Sequence, residues 1–253
     1  MLATTLTGSA TDAPPLLIAH GLFGSARNWN VIAKRLSDSR QVITVDMRNH
    51  GTSPRYPSQS YAGMAGDLAE VITAHGGRAD ILGHSMGGKA AMVLALSHPG
   101  VLRRLVVADI APVAYGHSQS QLIDAMRGVD LTRITTRRDA DLQLAGAVPE
   151  DGVRAFLLQS LDVKARRWRL NLDVLAADMD AITGWPADVS GQFEGPTLML
   201  SGATSDYVLP AHRGVIRDHF PAARFAKIPG AGHWLHAEKP REFEAAVRVF
   251  LDA

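Results

Sequence analysis

The chain has 253 residues, 46% of them hydrophobic and 20% charged, with 26 basic against 25 acidic side chains. That length and balance suit one α/β domain with a large core, and a net charge of +1 gives no reason to expect nucleic acid or a membrane surface as partner. The absence of cysteine excludes a disulfide framework, a thiol nucleophile and Cys-type zinc sites.

Met1 to Thr11 has neither a basic n-region nor a long apolar stretch, and no run approaches the roughly 18 apolar residues of a membrane span. A cytoplasmic protein without membrane insertion is therefore expected. Leu2 to Thr7 reads as a short edge strand, and Leu16 to Ala19 as a buried strand that runs into His20-Gly21-Leu22-Phe23-Gly24-Ser25. Arg27 to Leu36 reads as a helix, Gln41 to Val45 as the next strand, and Asp46 to Pro54 as a polar loop. Met64, Leu68, Val71 and Ile72 mark one helical face. Strands follow at Ala79 to Leu82 and Leu105 to Ala108, on either side of a helix from Gly88 to Leu96 that Pro99-Gly100 stops. Strands alternating with helices predict right-handed crossovers and a mostly parallel sheet covered on both faces. The run-like hydrophobicity of the strands near 16, 41, 79 and 105 suits such burial.

Between Ala111 and Gly195 the strand rhythm is lost and helical stripes replace it: Leu122, Ile123 and Met126, then Val153, Phe156, Leu157 and Leu161, then Leu172, Leu175 and Met179. Residues 111–195 are expected to form a mobile helical lid on a core of residues 1–110 and 196–253. Its apolar stripe, with Leu122, Met126 and Leu157, should face a substrate pocket. The rhythm resumes with a strand at Pro196 to Ser201, a helix at Pro210 to Phe220, a strand at Arg224 to Ile228 and an amphipathic C-terminal helix carrying Phe243, Val247, Phe250 and Leu251.

The chemistry concentrates at Gly83-His84-Ser85-Met86-Gly87. A strand leads in and a helix leads out, the context in which G-x-S-x-G forms a nucleophile elbow. The tight turn exposes the serine hydroxyl, and the following helix N-terminus points positive partial charge at developing negative charge. Serine needs a base near pH 7. His233 suits that role, because it follows a late strand in a Gly-Ala-Gly loop and comes after the serine and the candidate acids. His20 reads as a loop-fixing hydrogen-bond partner, and His84 and His236 as packing residues. Backbone N–H groups should form the oxyanion hole: Met86 after the nucleophile, and Leu22 in the loop after an early strand. Phe23 reads as a pocket wall. The acid is open between Asp109, which ends the strand beside the nucleophile strand, and Asp206, one residue beyond the usual acid position, which Ser205 occupies.

The segments around His20-Gly21, Asp46-Met47-Arg48, Gly83-His84-Ser85, Asp109-Ile110-Ala111-Pro112 and Gly230-Ala231-Gly232-His233-Trp234 together resemble the YbfF-type esterases, small α/β-hydrolases also similar to the lidded ABHD-type hydrolases. The resemblance is dense in the core and thin from Ala114 to Gly195. It implies the α/β-hydrolase fold and hydrolysis of carboxylic esters or acyl thioesters with short to medium acyl groups. It also implies an acid at Asp109 beside a serine at Ser205. No cofactor and no metal are expected, and the partner is a small-molecule ester or thioester. Acyl-CoA thioesterase and perhydrolase activity would use the same residues, whereas a non-catalytic ligand receptor would have no use for an intact Ser/His pair. Lys164, Arg166, Arg167 and Arg169 around Trp168 read as a solvated lid helix, or as a docking surface for an anionic substrate portion.

Overall fold

The apolar runs form strands whose order in space differs from their order in the chain. The computed structural model describes residues 1–253. In sequence the elements are β1 (Thr4–Thr7), β2 (Leu16–Ala19), α1 (Asn30–Leu36), β3 (Val42–Val45), α2 (Tyr61–Ala74), β4 (Ala79–His84), α3 (Met86–Ser97) and β5 (Leu102–Ala108). After them come α4 (Ser120–Arg127), α5 (Arg137–Leu144), α6 (Asp151–Leu157), the hairpin β6 (Leu161–Asp162) and β7 (Arg167–Trp168), α7 (Leu172–Ala177) and α8 (Met179–Thr183). The chain ends with β8 (Thr197–Gly202), α9 (Arg213–His219), β9 (Ala223–Ile228), α10 (Leu235–Glu238) and α11 (Pro240–Asp252). The main sheet runs β1-β3-β2-β4-β5-β8-β9. Only β1 is antiparallel to its neighbour.

Successive side chains on a strand point to opposite faces, and the core divides accordingly. Leu16 and Ile18 pack with Trp29, Ile32 and Leu36 and with Phe243 and Val247 of α11. Leu17 and Ala19 face the other way, into a cluster with Met64 and Leu68 of α2 and Ala91 and Leu94 of α3. Both faces of β2, β3, β4 and β8 are buried throughout, which explains why these strands read as continuous apolar runs. No helix is long and apolar enough to cross a membrane.

That core also holds charge. Asp80, inside β4 and fully buried, accepts from Arg40 Nη1 at 3.0 Å and from Arg103 Nε at 2.8 Å and Nη2 at 2.6 Å. Arg40 is itself only 3% exposed. Asp80→Ala would leave that guanidinium buried without one of its anions. Urea denaturation is expected to show a loss of about 3–5 kcal/mol, and a loss below about 1 kcal/mol would mean that water reaches Arg40.

Residues between β5 and β8 include α4 to α8, and also a feature the helical stripes do not announce. The basic run around Trp168 is the β6–β7 hairpin and not a helix. Arg166 turns the hairpin at φ 50°. Trp168 folds inward and donates Nε1–H to Met126 O at 2.9 Å, while Arg169 pairs with Asp162 at 2.9 Å. The segment is tied to the sheet-bearing part at several points: Tyr61 Oη donates to Ile182 O, Ser160 Oγ to Phe23 O, Asn171 N to Asn49 O, and Asn28 Nδ2 to Gln159 Oε1.

Candidate active site

All the loops that carry chemistry leave the sheet at the C-terminal ends of its parallel strands. Ser85 follows β4 directly and precedes α3, with φ 53° and ψ −121°. An L-residue adopts that backbone only where its surroundings enforce it. The enforcement is visible: a Cβ at Gly87 would lie 2.4 Å from Ala19 O, so only glycine lets the first turn of α3 approach β2 this closely. Five non-glycine residues have positive φ, among them Phe23, Ser85 and Asp109. Such strain gathers where geometry is held for function.

Ser85 Oγ lies 3.1 Å from His233 Nε2, and His233 Nδ1 lies 2.8 Å from Asp109 Oδ2. The carboxylate can only accept, so the ring proton belongs on Nδ1 and the Nε2 lone pair faces the serine. Asp109 is fully buried at the end of β5 and is otherwise well solvated by the protein. Gly202 N donates to its Oδ1 at 3.0 Å, and Ser205 Oγ donates to Oδ2. Asp206 is exposed and makes no bond to His233. The extra residue before it places Ser205, not a carboxylate, beside the histidine's partner.

Two further groups hold His233. The Tyr207 ring stacks on the imidazole with centroids 3.9 Å apart and planes 19° from parallel. His84 Nε2–H donates to the His233 carbonyl at 2.8 Å. Burial, with His233 and His236 nearby, keeps the His84 pKa well below the usual imidazole range. His84 therefore stays neutral and ties the loop after β9 to β4, the strand that leads into Ser85. His236 stacks on Trp29 at 4.2 Å, and burial pulls its pKa to about 3.

Facing the serine is the loop after β2. A Cβ at Gly21 would meet His84 Nδ1 at 2.9 Å and Ser85 Cβ at 3.2 Å, so this backbone lies directly against Ser85. His20 anchors it: Nδ1–H donates to Gly21 O at 2.8 Å, and Nε2 accepts from Met47 N at 2.9 Å. His50, which carries no signal of a role in the sequence, accepts the Phe23 N–H on Nε2 at 3.2 Å and donates Nδ1–H to Arg48 O at 2.8 Å. Burial drives its pKa to about 3, which preserves the acceptor. Phe23 N–H is thus occupied, whereas Leu22 N–H has no partner in the chain. Met86 N–H, first in α3, has no carbonyl one turn back to receive it.

These groups open onto a cavity of about 490 Å³. Phe23 and Leu122 line it. Met126 and Leu157 do not; they are fully buried in the hydrophobic cluster beneath it. The difference has a simple physical cause. A helical stripe shows which side of α4 or α6 is apolar, but not which residues on it pack inward and which reach the space above the serine. Val153 and Phe156 take the places expected of Met126 and Leu157, and Tyr61, Tyr115, Trp234 and Lys89 join them. No group of three or more His, Asp or Glu side chains is arranged to hold a metal ion.

A family model described as the alpha/beta hydrolase fold matches residues 14–240. The chain is 45% identical over 257 residues to the mouse (Mus musculus) sn-1-specific diacylglycerol lipase ABHD11, covering 97% of this chain and 83% of that protein. It is 39% identical over 240 residues to the esterase YbfF of Escherichia coli, covering 94% and 93%. A solved structure described as a marine microorganism esterase superposes with a TM-score of 0.93 at 36% identity, covering 99% of this chain and all of that one. The fold, the strand order and these similarities agree: the chain belongs to the α/β-hydrolase fold family, alongside the YbfF and ABHD11 proteins.

Proposed function

We propose that the protein is a carboxylic ester hydrolase in which Ser85 is the nucleophile, His233 the base and Asp109 the acid. The observation that carries this reading is the unbroken run of hydrogen bonds from Asp109 through His233 to Ser85, at 2.8 and 3.1 Å. Ser85 Oγ attacks the ester carbonyl and its proton passes to His233 Nε2. The oxygen that gains negative charge is held by the Leu22 and Met86 N–H groups. Collapse expels the alcohol, which takes the proton from His233 and leaves an acyl-serine. Water then gives His233 a proton as it attacks the acyl carbon, and collapse breaks the bond to Ser85 Oγ, which takes that proton back from His233 as the acid is released. Asp109 holds the imidazole in the reactive tautomer and stabilises the imidazolium. Turnover of p-nitrophenyl butyrate is the direct test; purified, folded protein with no such activity would sink the reading.

The segment of residues 111–195 serves, on this reading, as the lid over the acyl pocket. Leu122, Val153 and Phe156 reach the cavity from it, and the Phe156 and Trp234 rings, both lining it, have centroids 5.6 Å apart. Acyl groups of short to medium length suit a cavity of this size. Leu122→Ala and Phe156→Ala are each expected to lower the ratio of kcat/KM for hexanoate over acetate esters by about tenfold. An equal loss across chain lengths would mark both side chains as structural.

A further inference from the structure

Lys89 is the only lysine or arginine that lines the cavity, and it is 1% exposed. It lies in the first turn of α3, four positions after Ser85, the residue that caps the helix, and its N–H donates to Ser85 O at 3.0 Å. Its surroundings are all neutral. Nζ donates to the carbonyls of Thr183, at 2.8 Å, and of Gly184. It sits 4.8 Å from the Tyr115 ring centroid and 5.8 Å from that of Tyr61. Both tyrosine hydroxyls are turned to other partners, Tyr115 to Tyr207 O at 2.7 Å and Tyr61 to Ile182 O at 2.5 Å. No carboxylate lies within 4.0 Å of Nζ; the ion pairs of the chain involve other cations. Glu238, the one acid among the lining residues, accepts from Gly232 N at 2.8 Å.

An ammonium held in a largely apolar wall is costly unless an opposite charge meets it. Burial alone pulls the Lys89 pKa down to about 7. Two of its three protons are held by the lid carbonyls, and one remains for an incoming acceptor. We propose that Lys89 recognises a carboxylate at the far end of the acyl chain, so that the enzyme takes half-esters of short dicarboxylic acids. Ser85 and Lys89 line the same cavity of about 490 Å³, which has room for a short diacid chain such as succinate or glutarate. The inference rests on the ester-hydrolase reading above and specifies its substrate.

Chain-matched substrates separate the two. The ratio of kcat/KM for monomethyl glutarate over methyl valerate is measured by pH-stat at pH 6.5 in wild type and in Lys89→Met. The wild-type ratio should exceed one, and the variant should lower it by about tenfold to a hundredfold. An equal loss on both esters would overturn the inference and leave Lys89 as a tie between α3 and the lid. Hydrolysis of methyl valerate without preference for the half-ester would do the same while leaving the ester-hydrolase reading intact. Should Lys89→Met fail to fold, monomethyl glutarate and methyl valerate are compared as ligands of Ser85→Ala protein by calorimetry. That measurement does not depend on turnover. Tighter binding of the half-ester supports the inference, and equal or weaker binding overturns it.

Discussion

Replacing Ser85 by alanine is expected to lower kcat for p-nitrophenyl butyrate by about 10⁴–10⁶, or about 5–8 kcal/mol of barrier. The substitution removes one oxygen. Alanine keeps the Cβ that already sits at φ 53°, so the elbow gains no new strain. The only side-chain hydrogen bond lost is the one to His233. Thermal stability should therefore be unchanged or slightly higher, as where a site strained for function is relaxed. What remains is the polarising effect of the Leu22 and Met86 N–H groups and the binding of the ester, worth roughly 10³–10⁴ over water in a serine protease stripped of its triad. A fluorophosphonate should label wild-type protein at Ser85 and leave Ser85→Ala unmodified. Label on another residue, or a variant within tenfold of wild type, would show that the hydroxyl at the elbow is not the attacking group.

How much of this was legible in the sequence depended on whether a signal was local. Strand β4, the glycines around Ser85 and helix α3 form one contiguous pattern, so the elbow could be read from a few residues. The order of Ser85, Asp109 and His233 along the chain reflects which strands end beside one another, although the residues alone left Asp206 open beside Asp109. The contact between His50 and Phe23 joins residues 27 positions apart. It depends on how the loops after β2 and β3 lie across the sheet, and no periodicity encodes that. The hairpin at 161–168 has strands of two residues each, too short for alternation to emerge. Its arginines resembled the outer face of a helix, whereas Trp168 is drawn inward by a carbonyl of α4. Lys89 was hidden for a different reason. It stands in a helix that otherwise reads as small and apolar, and its partners, the last carbonyls around α8, become neighbours only when the inserted segment folds back over α3. Met126 and Leu157 lie on the apolar stripes expected to face the pocket, but burial against a neighbouring helix and burial against a substrate look alike in one dimension.

Asp109→Asn should lower kcat by about 10²–10⁴, and Asp206→Asn by less than about tenfold. The local geometry gives the reason. Gly202 N donates to Oδ1 of Asp109, so an asparagine at this position places its carbonyl oxygen there and turns its NH₂ toward His233 and Ser205. Ser205 can rotate its hydroxyl from donating to accepting, so the site remains satisfied and the protein folds. His233 cannot adjust without cost. Facing an NH₂ group, its Nδ1 must accept, and the ring proton moves to Nε2. That nitrogen is then a donor 3.1 Å from Ser85 Oγ and has no lone pair to take the serine proton. The imidazolium that forms during reaction also loses its counter-charge. Nothing comparable happens at Asp206, whose side chain is exposed and whose loop already presents Ser205 to Asp109. Equal losses in the two variants would mean that His233 draws on either carboxylate. A larger loss in Asp206→Asn would require the loop after β8 to rearrange when substrate binds, bringing its carboxylate in place of the serine.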